Sequence, residues 1–184
     1  GLNIPQFSHI DLDQDGKMDI LAFDRMGKVI LPFVNVGSAG QTDYVFKPEY
    51  IAAFPVHNQD FLLCRDYDCD GKSDLFLGTT NGVKVYHNTS TPGNLSFQLS
   101  HDTLMTDYGG GPVLVYVNQG DVPEFVDVDG DGDLDMLTFD QGGSFVEWHK
   151  NTMVENQGTC AGIELVLADG CWGKFQESGL SQDI

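Results

Sequence analysis

Basic residues are scarce in this chain. Nine lysines and arginines stand against 28 aspartates and glutamates, a formal net charge of −19 over 184 residues. A chain this acidic repels phosphate backbones and anionic lipid, so neither nucleic acid nor a membrane surface is an expected partner. Long apolar runs are missing too. No stretch approaches the roughly 18 apolar residues of a membrane helix, and membrane insertion is not expected. No secretory leader is visible, and the start at Gly1 just before a strand reads as a mature or excised segment. The four cysteines make no Cys-x-x-Cys pair and meet no histidine at zinc-ligand spacing. The five histidines, His9, His57, His87, His101 and His149, show no recurring serine or carboxylate partner, so a hydrolytic triad is not expected. Gly109-Gly110-Gly111-Pro112 lacks the context of a phosphate loop and reads as a turn.

What the chain has is carboxylate in a pattern. Asp-x-Asp-x-Asp-Gly-x-x-Asp occurs three times, at residues 11–19, 66–74 and 127–135. Each copy sets four carboxylates at positions 1, 3, 5 and 9, with glycine at position 6 to let the backbone turn. Unit charges about 4 Å apart repel by roughly 4 kcal/mol at an effective dielectric near 20, so such a group calls for a cation. Hard oxygen ligands on a flexible loop suit calcium. The expected ligands are Asp11, Asp13, Asp15 and Asp19; Asp66, Asp68, Asp70 and Asp74; and Asp127, Asp129, Asp131 and Asp135. The backbone carbonyls of Lys17, Lys72 and Asp133 at position 7 are natural further ligands. Asp133 also adds a fifth carboxylate, which makes the third loop the expected tightest of three calcium sites. An EF-hand is excluded, because it needs glutamate at position 12 and flanking helices. Position 12 here is Ala22, Leu77 or Thr138, and short apolar runs typical of buried strands follow each loop.

The loops start 55 and 61 residues apart. Each has an apolar lead-in (Pro5–Ile10, Phe61–Arg65, Val122–Val126) and a buried strand after it. A turn and a second strand follow, the strand ending at Asn35, Asn88 or Asn151. A less regular closing segment, such as Tyr44–Tyr50, completes a unit of four strands. An all-β period near sixty fits a β-propeller blade better than a solenoid coil. The expected blades span 1–57, 58–120 and 121–184. Three blades are too few to close a ring alone, so further blades in a longer chain or self-association is expected.

Loop, lead-in, strand, turn and terminal asparagine together resemble the FG-GAP/VCBS repeat family of β-propellers. Phe23-Asp24-Arg25, Pro48-Glu49-Tyr50 with Phe54-Pro55, and Cys171-Trp172-Gly173-Lys174-Phe175 resemble a secreted, Bacteroidetes-type subset of VCBS proteins. The resemblance carries the family's loop onto all twelve aspartates above.

The cysteines allow three pairings. The two short ones, Cys64–Cys69 and Cys160–Cys171, are preferred, against a reading as four free buried thiols. Disulfides and calcium of extracellular affinity, roughly 10⁻⁴–10⁻³ M, both point outside the cytoplasm. The sequons at Asn88 and Asn94 are read as incidental. Trp148, Trp172, Tyr86 and Tyr116 are read as core in preference to a sugar-stacking platform. The function expected is a non-catalytic, calcium-stabilised module at the cell surface or outside the cell, serving adhesion, interaction or assembly with a protein or glycan partner. The alternative is the propeller domain of a carbohydrate-binding or polysaccharide-degrading protein.

Overall fold

The apolar runs become strands close to where the repeat marks them. In the computed structural model, residues 1–38, 40–55, 59–80 and 82–177 are described. His57, Asn81 and the expected boundary at 57/58 lie outside them. The chain is predominantly β, with short helical turns.

The first sheet is a four-stranded antiparallel meander of β1 (Pro5–Ile10), β2 (Asp19–Asp24), β3 (Val29–Asn35) and β4 (Tyr44–Phe46). Ile10 pairs with Asp19, so the first acidic loop is a hairpin connection. The second sheet repeats the plan with β5 (Leu62–Arg65), β6 (Asp74–Thr79), β7 (Gly82–Asn88) and β8 (Phe97–His101). Arg65 pairs with Asp74 across the second loop.

The third sheet departs from the four-strand expectation. It holds β9 (Met105–Asp107), β10 (Pro112–Leu114), β11 (Glu124–Val126), β12 (Asp135–Phe139), β13 (Val146–Asn151) and β14 (Leu165–Asp169), in the order β10-β9-β14-β13-β12-β11. Val126 pairs with Asp135 across the third loop. The hairpin β9–β10 joins by a parallel pairing of β9 with β14. Its turn is the glycine run 109–111, closed by Asp107 Oδ1, which accepts the N–H of Gly109 at 2.6 Å and of Gly111 at 2.9 Å. An edge strand offers unpaired backbone groups that such a hairpin can take up. A short helix, α1 (Met153–Gln157), lies between β13 and β14.

The chain divides into two compact units. The first comprises Gly1–Asp66, Gly71–Thr79 and Lys84–Asp102. Its core gathers Ile10, Leu21, Phe23, Leu62, Leu75 and Leu77. Here β1 and β5 are tied by Gln6 and Ser8, whose side-chain oxygens accept the N–H of Leu62 and Cys64, each at 3.2 Å. The second unit comprises Tyr67–Asp70, Thr80–Val83 and Thr103–Ile184. It buries Leu104, Val115, Phe125, Met136 and Leu165 together with the polar Thr106, His149 and Asn151.

Candidate metal centre

Each acidic loop is folded by its own aspartates. At position 1, Asp11 accepts the N–H of Asp15 at 3.2 Å and of Gly16 at 2.9 Å. Asp66 accepts Gly71 N–H at 2.9 Å. Asp127 accepts Gly130 at 2.7 Å, Asp131 at 3.2 Å and Gly132 at 3.1 Å. At position 3, Asp13, Asp68 and Asp129 each accept the N–H of position 5, at 3.3, 3.3 and 3.4 Å. At position 5, Asp15 accepts Lys17 N–H at 2.8 Å and Asp131 accepts Asp133 N–H at 3.1 Å. The turn needs positive φ at position 6, supplied by Gly16, Gly71 and Gly132 (+84°, +87° and +102°). It also needs it at position 4, where Gln14, Cys69 and Gly130 have φ of 60°, 59° and 83°. The sequence motif leaves position 4 unspecified, so only the folded loop reveals that demand.

Position 9 has a different task. Asp19, Asp74 and Asp135 are fully buried. Asp19 Oδ2 accepts Leu12 N–H and its Oδ1 accepts Asn35 N–H, both at 2.7 Å. Asp135 repeats this with Val128 at 3.0 Å and Asn151 at 2.8 Å. Asp74 Oδ1 accepts Asn88 N–H at 2.7 Å. The recurring asparagine is thereby explained. Its backbone binds the position-9 carboxylate, and its side-chain oxygen accepts the N–H two residues on, from Gly37, Ser90 or Met153, at 3.1, 3.0 and 3.4 Å. Asn88 is fully buried in this role, so its sequon is structural.

Carboxylate oxygens gather in every loop. Asp11, Asp13 and Asp15 form one group; Asp66, Asp68 and Asp70 form another along the contiguous second loop; Asp127, Asp129 and Asp135 form a third. Within each group the oxygens lie within 4.8 Å of one another. Burial pushes the Asp19 and Asp135 carboxyls above their ordinary range, with neighbouring loop carboxylates adding to the shift. Burial, helped by the charges of Asp131, Asp135 and Glu155, pushes Asp133 up to about 6. Asp15 is held low by hydrogen bonds from Lys17. Asp66 Oδ1 and Asp133 Oδ1 are buried without a hydrogen-bond partner. Crowded oxygen donors, orphaned buried oxygens and unbalanced negative charge fit a hard divalent cation.

The position-7 residues differ. Lys17 returns its ammonium to Asp15 at 2.8 Å and donates to the Asn35 carbonyl at 2.9 Å. Lys72 holds the same place in the second loop. Asp133 is buried, and its Oδ2 accepts Val154 N–H of α1 at 3.0 Å. Two residues outside the motif also reach the third loop. Lys150, from β13, pairs with Asp129, with Asp131 at 3.4 Å, and with Glu155 of α1. The carboxylates of Asp129, Asp131 and Glu155 form a further close group.

The expected pairings Cys64–Cys69 and Cys160–Cys171 are not formed. The disulfide joins Cys69 to Cys160, 91 residues apart, while Cys64 and Cys171 are free. The reason is direction. Cys64 lies on β5 with its thiol in the first unit's core, where burial pushes its pKa up to about 12. Cys69 stands at the tip of its loop, with its sulfur 3.7 Å from the Gly132 carbonyl of the third loop.

His149 is held by local partners. Its Nδ1 lies 2.9 Å from Thr106 Oγ1 and its Nε2 lies 3.3 Å from Glu147. Tyr108 donates to Glu147 at 2.9 Å and packs edge-on against the imidazole. Thr106 and His149 are buried, and burial holds the imidazole pKa low. A hydroxyl sealed in this way is a packing partner and not an accessible nucleophile. Of the aromatic residues, Tyr86 packs against the first unit's core, while Tyr116 is 39% exposed.

Fold and loops define a β-rich protein built on a recurring acidic hairpin. Residues 66–138 match the family described as FG-GAP-like repeat, a stretch that holds the second and third loops, the strands between them and most of β12. No curated protein and no solved structure matches the chain.

Proposed function

We propose that the chain is a non-catalytic, calcium-stabilised module of β-propeller type, of the FG-GAP/VCBS kind, working at the cell surface or outside the cell. Its blades are 1–57, 58–120 and 121–184, the β9–β10 hairpin of the second span pairing into the sheet of the third, and it serves adhesion, interaction or assembly with a protein or glycan partner, or with further blades. The observation that carries this reading is the bracket at position 9. In each loop a buried aspartate ties the turn to the end of the next-but-one strand, so an ion held by its neighbours is coupled to the sheet. The proposed ligands are the twelve loop aspartates, with the carbonyls of Lys17, Lys72 and Asp133. Calcium at tenfold excess over its dissociation constant would add about 1.4 kcal/mol per site. A disulfide and the FG-GAP-like repeat support an extracellular setting.

Calorimetric titration with calcium is the test. Three binding events are expected, two in Asp129→Ala, and chelator lowers the melting temperature. Magnesium substitutes poorly, since it demands a tighter octahedron. Absence of calcium binding defeats the proposal. One observation favours the carbohydrate-binding alternative: a cleft of about 570 Å³ in the first unit, lined by Phe7, His9, Met18 and Arg65. Glycan-array binding abolished by Phe7→Ala would favour that reading.

A further inference from the structure

The three loops share a motif but not their surroundings. The residue before the terminal asparagine of the second strand differs in each: Val34, His87 and Lys150. Val34 is apolar and buried. His87 has its Nδ1 3.4 Å from Asp74. Lys150 carries a permanent charge and sets it among Asp129, Asp131 and Glu155. Asp129 and Asp131 are loop carboxylates, and Glu155 belongs to α1. Lys17 in the first loop is a weaker parallel, since it pairs there with Asp15 and its side chain is 41% exposed against 22% for Lys150. A second observation points to a cation at this loop: the buried Asp133 keeps an oxygen without a hydrogen bond.

We infer that Lys150 is a tethered counter-cation of the third loop, which calcium must displace from Asp129 and Asp131, leaving the ammonium on Glu155. This rests on the calcium reading of the loops. An ammonium that spans two ligand carboxylates neutralises part of the charge that would draw the metal, and calcium binding must break those pairs. Two consequences follow. The metal-free third loop is held in shape without an ion. Its calcium affinity is lower than its count of carboxylates implies, so the most acidic loop is not the tightest site.

The experiment is a calcium titration of the full chain by calorimetry, comparing the parent with Lys150→Met and Lys150→Arg. In Lys150→Met one of three sites tightens, about tenfold. Lys150→Arg keeps the parent affinity, which controls for folding and charge. In the Asp129→Ala background, which lacks the third site, Lys150→Met changes nothing. In chelator, Lys150→Met melts below the parent, and its rise on adding calcium is larger. Three sites within twofold of the parent in Lys150→Met would overturn the inference, as would tightening that persists in Asp129→Ala. A parent that binds no calcium fails the reading of the loops themselves, a result distinct from three sites indifferent to Lys150.

Discussion

Among single residues, the loop aspartates divide by what their oxygens already hold. Those at positions 1, 3 and 5 accept N–H groups from within the turn, whereas those at position 9 also reach out of it, to the N–H of the asparagine that ends the next-but-one strand. Burial raises the pKa of Asp19, Asp133 and Asp135. A carboxyl whose folded pKa lies above its unfolded value binds more protons in the folded state, so stability falls as pH rises between the two values. For these groups that window runs from the ordinary aspartate range up to about 6, the value for Asp133. In chelator, therefore, the melting temperature is expected to rise as pH is lowered from 7 toward 5. With saturating calcium the trend reverses, because protons then compete with the ion. Thermal melts across pH with and without calcium check both signs. An identical profile in the two conditions would contradict the coupling.

Among elements, the strands were legible because their apolar runs are bounded by loops of fixed chemistry. Ile10, Arg65 and Val126 end strands directly before the loops, and Asp19, Asp74 and Asp135 begin the strands after them. Close approach inside the sheets was not legible. Gly78 on β6 looks like an ordinary strand weakness, yet a Cβ there would stand 2.4 Å from the Phe61 ring, which is 1% exposed. Gly78 N–H also donates to the Phe61 carbonyl and the Gly78 carbonyl accepts Asp60 N–H, so neither can retreat freely. Gly78→Ala is expected to destabilise the chain by about 1–3 kcal/mol through overpacking. Urea denaturation measures the loss, and trimming the ring by Phe61→Leu in the same chain recovers part of it.

Across the whole molecule, the Cys69–Cys160 bridge closes a span of 91 residues. In the chain-entropy account, a loop of that length restricts the unfolded state by up to about 4–5 kcal/mol. Cys69→Ser with Cys160→Ser is expected to lower stability toward that bound. Thiol counting on the denatured, unreduced chain should find two free thiols, and peptide mapping should place them at Cys64 and Cys171. In the native chain Cys64 should react slowly, since its thiol is buried with a pKa of about 12. Two local disulfides in the mapping would refute the bridge.

The sequence by itself determined the hairpin loops, the strands around them and the crowding of carboxylate. These depend on residues close in the chain, and a nine-residue pattern specifies them locally. Tertiary structure alone decided what comes from a distance. It placed β9–β10 in the third sheet, joined Cys69 to Cys160, buried His149 against Thr106 and brought Lys150 and Glu155 to the third loop. Each such choice turns on which way a side chain leaves its strand and which edge offers unpaired backbone. Packing across tens of residues sets both, and no local pattern records it.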